Sequence, residues 1–285
     1  MSNIQTRVAE ARRRLRDAGI PSAEADLDAR LLAELALGWT TERLFTSGNE
    51  AEPSGFADRY QCLVSRRSAR EPLAYIVGRR EFWGLSFEIT PDVLIPRPET
   101  ELIVEAALEM FPRADDKLAI IDVCTGCGCV AIALADERPS ARIVATDVSA
   151  RALDIARRNA ARLGVETRVN IQQADLLDGL VGPFDLIVAN PPYVRDRDRP
   201  GLQPEVRNHE PSVALFGGDD GLQIIRRLVH QAVTRLGVGG YLIFEFGFGQ
   251  DASIETLIAD TSDLRLIGLR RDLQGIARTA VAERR

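Results

Sequence analysis

The sequence predicts an α/β protein: a seven-stranded, mostly parallel, doubly wound sheet preceded by a small helical bundle. Two observations carry this. From about residue 96 onward, apolar strand-like runs alternate with helical periodicities, the pattern of a parallel sheet wound by crossover helices. Residues 1–75 show helical periodicity and no strand pattern.

In the first part, Ile4, Val8, Ala11 and Leu15 form one helical stripe that ends near Gly19 and Pro21. Ser22 is expected to cap a second helix, with Leu27, Leu31 and Leu35 on one face and Gly38 as its stop. Thr41 is expected to cap a short third helix, and 57–68 is a further amphipathic segment closed before Pro72. Residues 76–95 change character. Ile76-Val77 and the alternation of Leu85, Phe87 and Ile89 read as a β-hairpin linking two domains.

The α/β part follows. A helix over 99–111 leads to a strand at 118–123, a helix at 129–137, a strand at 142–145, a helix at 150–163 and strands at 169–173 and 184–189. A helix over 222–236 and a strand at 241–246 come next. Strands at 264–269 and 276–282 have no clear helix between them, so they form an antiparallel edge. The expected division is 1–75 helical domain, 76–95 linking hairpin and 96–285 α/β domain.

Composition bounds the rest. The chain has 285 residues, 45% hydrophobic and 27% charged, with a formal net charge of −6. That balance is ordinary for a soluble globular protein. It counts against binding long nucleic acid, whose phosphates supply most of the affinity to basic surfaces. The basic clusters Arg12-Arg13-Arg14, Arg66-Arg67 and Arg79-Arg80 read as solvated helix faces. No apolar run approaches the roughly 20 residues of a membrane span, and the first residues lack an apolar signal core, so a cytoplasmic location is expected. Cys124, Cys127 and Cys129 lie close together, but four-ligand metal sites use two spaced pairs. The remaining candidate donors, Cys62, His209 and His230, are scattered, and no metal is expected.

Two motifs carry chemistry. The strand at 184–189 runs into Asn190-Pro191-Pro192-Tyr193. Two prolines cannot continue a ladder, so Asn190 is held at a strand's carboxyl end, where open α/β sheets bind ligands. Its amide oxygen and the stiff Pro191 carbonyl stand side by side and can accept both hydrogens of one planar NH2 group. Methylating an amide or exocyclic amine nitrogen needs such a pair. Upstream, Asp122-Val123-Cys124-Thr125-Gly126-Cys127-Gly128 sits between the first sheet strand and its helix, a loop that lets backbone approach a ligand closely. Asp147 ends the next strand about 20 residues on, where an acid accepts bonds from two ribose hydroxyls. The dinucleotide fingerprint lacks its third glycine, which favours S-adenosylmethionine over NAD. Asp122 either faces the cofactor's ammonium or orders the loop. Asp175 either borders the adenine, with Leu176 against the ring, or caps a helix.

These residues resemble class I S-adenosylmethionine-dependent methyltransferases with a Rossmann-like fold. Gly78-Arg79-Arg80-Glu81-Phe82-Trp83-Gly84, Leu94-Ile95-Pro96-Arg97-Pro98-Glu99-Thr100-Glu101, Glu210-Pro211 and Asp220-Gly221-Leu222 narrow the resemblance to the PrmC/HemK family of protein-(glutamine-N5) methyltransferases. The resemblance implies a methyl transfer from S-adenosyl-L-methionine to the Gln of a Gly-Gly-Gln motif in a class-1 peptide chain release factor. It implies a cofactor site at Cys124, Thr125, Gly126, Cys127, Gly128, Asp147, Asp175, Leu176 and Asn190. Asn190, Pro191, Pro192 and Tyr193 would hold the substrate amide, with Asn190, Pro191 and Tyr193 catalytic. Arg97 and Glu99 would line the site or, alternatively, pair with each other at a helix start. The helical domain is the expected source of extra recognition surface. Cys124 departs from the family, which usually has glycine there. If that position has positive φ, the side chain costs on the order of 1 kcal/mol. A DNA or RNA adenine-N6 methyltransferase would use the same Asn-Pro-Pro-Tyr on a flipped base, but no basic cleft or target-recognition module is evident. A non-catalytic binding protein on a relic fold is opposed by the intact Asp147 and Asn-Pro-Pro-Tyr.

Overall fold

The computed structural model describes residues 3–285, which divide into two compact units. The first comprises the described residues up to 78 with 203–209, the second 79–202 with 210–285.

The first unit is helical. It contains α1 (Ile4–Asp17), α2 (Ser22–Leu37), α3 (Thr41–Ser47), α4 (Phe56–Ser68) and α5 (Leu73–Val77). Ile4, Val8, Ala11 and Leu15 are all buried, as their spacing requires. Helix α2 differs from the expectation. Its buried face is Ala25, Asp28, Ala29, Leu32, Ala33 and Ala36, while Leu27 and Leu35 are 44% and 39% exposed. Small alanines let α1 and α4 approach closely, and the leucines are left outside. Pro21 and not Ser22 holds the N-cap position of α2, Gly38 closes it in the left-handed conformation at φ 66°, and Thr40 rather than Thr41 caps α3. Ile76 and Val77 belong to helix α5, not to a strand. Arg67 is not on a solvated face. It is buried against Asp28 at 2.6 Å and Glu205 at 2.8 Å, and Arg70 meets the other Glu205 oxygen at 2.6 Å. Helix α9 (Pro204–His209), which carries Glu205, therefore groups with this unit.

The second unit begins with the antiparallel hairpin of β1 (Arg79–Phe82) and β2 (Leu85–Glu88). Its other elements in chain order are α6 (Glu101–Met110), β3 (Ala119–Val123), α7 (Cys129–Glu137), β4 (Arg142–Asp147), α8 (Ala150–Arg162), β5 (Val169–Gln173) and β6 (Phe184–Ala189). After the α9 excursion come α10 (Gln223–Arg235), β7 (Leu236–Glu245), α11 (Asp251–Ala259), β8 (Leu264–Arg271) and β9 (Ala277–Arg284). The seven sheet strands lie in the order β5-β4-β3-β6-β7-β9-β8. The first five are parallel, and β9 pairs antiparallel with both β7 and β8. Strand order reverses between β3 and β6, which is the switch point where such sheets bind ligands. The core beside it includes Ile121, Val123, Ile187, Ala189, Leu242 and Phe244, all fully buried. Asn159 of α8 ties the hairpin to the β3–α7 loop: it accepts from the Glu88 N–H and donates to the carbonyls of Glu88 and Cys127.

Candidate active site

The loop after β3 is held by two carboxylates. Asp122, fully buried, accepts from Thr125 Oγ1 at 2.6 Å and from the Ala131 N–H at 3.1 Å. It thus orders the loop, the second of the two roles open to it in the sequence. Burial pushes its pKa up to about 7, against the pull of those two hydrogen bonds. Asp147, at the end of β4, accepts from the Gly126 N–H at 3.0 Å and the Ser149 N–H at 2.9 Å, one on each oxygen. Burial raises its pKa as well, and the backbone donors oppose the rise.

The loop needs unusual backbone. Cys124, Gly126 and Gly128 all have positive φ, at 59°, 56° and 86°. Cys124 therefore stands in a conformation that favours glycine. At Gly128 a Cβ would lie 3.1 Å from Ile132 Cδ1 and 3.2 Å from Ala156 Cβ, so α7 and α8 approach through the missing side chain. At Gly126 a Cβ would meet nothing within 4 Å.

A cavity of about 230 Å³ opens in front of this loop. Among its lining residues are Cys124, Gly126, Asp147, Asp175, Leu176, Asn190 and Pro192. Thr125, Cys127 and Gly128 shape the loop from behind and do not line the cavity; nor do Pro191, Tyr193, Arg97 and Glu99. Among the described residues no Lys, Arg or His lines it, whereas three aspartates do. Asp92 is paired with Arg151 and Asp175 with Arg227; Asp175 thus makes an ion pair instead of capping a helix. Among the described residues Asp147 has no ion-pair partner and is held by backbone amides. Such a set of acceptors suits a ligand that presents hydroxyls and positive charge and carries no phosphate, and S-adenosylmethionine is such a ligand. A pyrophosphate would meet three carboxylates.

Asn190 follows β6 beside the switch point. Its Nδ2 donates to Thr100 Oγ1 at 3.0 Å. Thr100 Oγ1 donates in turn to Glu245 Oε2 at 2.7 Å, and the Tyr193 hydroxyl donates to Glu245 Oε1 at 2.8 Å. Burial raises the pKa of Glu245, and these two donors oppose the rise. Gln250 holds the Tyr193 carbonyl through Nε2 at 3.1 Å while its Oε1 accepts from the Gly247 N–H. The segment after Tyr193 is a one-rung strand, with Val194 bridging Phe216 in parallel. Glycines let the facing loop come close: a Cβ at Gly217 would lie 2.5 Å from the Pro192 carbonyl, and one at Gly221 would lie 2.3 Å from the Tyr193 carbonyl.

Arg97 pairs with the buried Glu210, not with Glu99. Glu210 also accepts from the Ile95 N–H, so Glu210-Pro211 clamps the segment that precedes Thr100. Thr100, Glu245 and Gln250 have no role in the sequence reading. The available signal is a charged residue inside the apolar strand Leu242-Ile243-Phe244-Glu245-Phe246. Among the described residues no cluster of three or more His, Cys, Asp or Glu side chains is arranged to hold a metal ion.

Residues 8–78 match the family described as PrmC N-terminal domain, and residues 100–203 match Methyltransferase small domain. A release factor glutamine methyltransferase of Bradyrhizobium diazoefficiens is 43% identical over 273 residues, covering 95% of this chain and 91% of that protein. The ribosomal protein L11 methylase of Lactobacillus delbrueckii subsp. bulgaricus has the same fold, with a TM-score of 0.51 at 24% identity over 69% of this chain and 84% of that one. So does the T. Thermophilus 16S rRNA N2 G1207 methyltransferase, solved with AdoMet and guanosine. Its TM-score is 0.52 at 18% identity, over 73% of this chain and 50% of that one.

Proposed function

The chain belongs to the release factor glutamine methyltransferase family, and on that premise we propose that it methylates the side-chain amide nitrogen of the Gln in the Gly-Gly-Gln motif of a class-1 peptide chain release factor. The methyl donor is S-adenosyl-L-methionine, which supplies an electrophilic methyl group on a sulfonium leaving group. Asp147 holds the ribose hydroxyls. Asp175 and Leu176 border the adenine, and Cys124 and Gly126, which line the cavity, form the floor of the cofactor site, with Thr125, Cys127 and Gly128 shaping that loop from behind.

The observation that carries this reading is the state of Asn190. It lines the cavity, and its Nδ2 is committed to Thr100, so Oδ1 is the end available to a substrate. Asn190 Oδ1 and the Pro191 carbonyl each accept one N–H of the glutamine amide. An amide nitrogen is a poor nucleophile because its lone pair is delocalised. Two acceptors fix its orientation and stabilise the positive charge that grows on it during attack. Tyr193, anchored by Glu245 and Gln250, bounds the flat face of the amide, and Arg97 and Glu99 flank it. The surplus proton is lost to water after transfer.

The protein substrate, and not DNA, fits the net charge of −6 and a cavity that no basic side chain among the described residues lines. Among the described residues no helix is long and apolar enough to cross a membrane, and a cytoplasmic site of action suits a release-factor substrate. The test is a parallel incubation with labelled S-adenosylmethionine, an intact release factor, the same factor with its motif Gln replaced, and duplex DNA. Label in the unaltered factor alone is expected. Label in DNA, or label that survives loss of the motif Gln, overturns the reading.

A further inference from the structure

We propose that Glu245 is a positioning residue whose carboxylate, acting through Thr100, dictates which end of the Asn190 amide faces the substrate. The inference rests on the amide-methylation reading above and extends it to two side chains that do not line the cavity.

The argument is one of hydrogen-bond direction. Strand β7 runs parallel to β6 with Phe244 opposite Ala189, so Glu245 and Asn190 leave the sheet side by side. Glu245 is 1% exposed, within a strand whose neighbours Ile243, Phe244 and Phe246 are fully buried. A carboxylate there costs several kcal/mol unless its oxygens are satisfied, and an apolar side chain would serve the core better. Its two oxygens are taken by two hydroxyls, Thr100 and Tyr193.

Both hydroxyls that meet Glu245 donate to it, the arrangement of a carboxylate that accepts and does not donate. The single hydroxyl proton of Thr100 is therefore spent on Glu245. Thr100 Oγ1 is left with lone pairs only, and whatever faces it must be a donor. Asn190 meets that demand by turning Nδ2 towards Thr100 at 3.0 Å. Because an amide is planar with N and O on opposite branches, Oδ1 is thereby turned the other way. A flipped Asn190 would set oxygen against oxygen and present an N–H to the substrate's own N–H groups. The same carboxylate fixes the Tyr193 hydroxyl, so one buried charge orients both ends of Asn-Pro-Pro-Tyr.

The test combines Glu245→Gln, Thr100→Val and Thr100→Ser with Asn190→Ala, measured on an intact release factor with saturating cofactor. Gln can donate to Thr100 and so reverse the chain. Glu245→Gln and Thr100→Val are each expected to lower kcat by about 10²-fold or more, the scale of losing one preorganised polar group. Cofactor affinity measured by calorimetry should stay within about threefold. Thr100→Ser should restore most of kcat, since it keeps the hydroxyl. In the Asn190→Ala background, Glu245→Gln should cost almost nothing further: the new amide oxygen still accepts from the Tyr193 hydroxyl, so only the Thr100 side changes, and that effect passes through the missing Asn190 amide. A merely structural Glu245 would give a full additional loss there, and that result overturns the inference. So does near-parental kcat in Thr100→Val, a variant that tests the chain even if Glu245→Gln does not fold. If Asn190→Ala itself keeps normal turnover, the amide-methylation reading falls and the inference falls with it. If Asn190→Ala is inactive while Thr100→Val is normal, only the inference falls.

Discussion

Asn190 and Asp147 both leave a strand at the sheet's carboxyl edge, yet they face different partners. Asn190 presents an uncharged amide oxygen, fixed through Thr100. Asp147 presents a carboxylate whose bonds come from two backbone amides. Replacing each by Ala should therefore produce opposite kinetic signatures. Asn190→Ala should cut methyl transfer by roughly 10²–10³-fold and leave cofactor affinity nearly unchanged. Asp147→Ala removes a charged acceptor worth about 1.5–3 kcal/mol per hydrogen bond. Cofactor binding should weaken tenfold or more, and turnover should partly recover at saturating cofactor. Calorimetric cofactor titration beside saturation kinetics separates the two. Equal effects of both variants on kcat alone would mean that Asp147 does not hold the cofactor. At this scale a single sequence exposes residues inside motifs, since Asn190 and Asp147 announce themselves by the strand ends they follow. Thr100 stands in the Leu94–Glu101 stretch, but neither it nor Glu245 shows its role in the sequence. They are 145 positions apart, and only folding brings their side chains together.

At the scale of elements, the β3–α7 loop shows how backbone demand is shared among three positions. Gly128 has no room and a left-handed φ, Gly126 has room and a left-handed φ, and Cys124 takes the same conformation with a side chain. Gly128→Ala should be the most destabilising, because conformational strain of about 1–2 kcal/mol adds to the overlap with Ile132 and Ala156. Gly126→Ala should lose only the strain term in stability but intrude on the cavity that it lines, so its larger effect should be on cofactor affinity. Cys124→Gly relieves strain, yet it loses a thiol packed against the sheet core and adds chain entropy; its stability should stay within about 1 kcal/mol of the parent. Thermal unfolding with and without cofactor ranks the three. A large activity loss in Cys124→Gly would show that the thiol itself contacts the cofactor. Element types here were largely legible, because strands such as Phe184–Ala189 and helices such as Cys129–Glu137 carry their own periodicity. Helix α2 misled because leucine spacing outweighed the smaller alanines that actually face the core. Helix α11 carried too weak a pattern over Asp251–Ala259 to be read beside the stronger strands that flank it.

At the scale of the whole molecule, the residues that line the cavity in front of the β3–α7 loop all belong to the second unit, so the helical unit is free for another task. A single exposed Gln loop offers too little surface to select one protein, since specific complexes bury about 800 Å² per partner. We expect the helical unit to supply that surface. A chain beginning at Leu73 should then bind S-adenosylmethionine normally but lose most activity on an intact release factor. A short Gly-Gly-Gln peptide should be a poor substrate for the full and shortened chains alike. One complication comes from the ion-pair network of the first unit. Glu205 enters that unit from the segment 203–209, and its partners Arg67 and Arg70 would be lost with the truncation. Stripped of those cations and of the helices that cover it, the Glu205 carboxylate becomes an unpaired negative charge on a newly opened segment. The shortened chain should therefore carry Glu205→Gln, and its thermal unfolding should be compared before activity is read. A full-length Glu205→Gln protein serves as the control for the substitution itself. If the folded, shortened chain methylates the intact factor at the full-length rate, the helical unit does not select the substrate. The Arg67 network would then point to a stabilising role, which the loss of Tm in the full-length Glu205→Gln protein would measure directly.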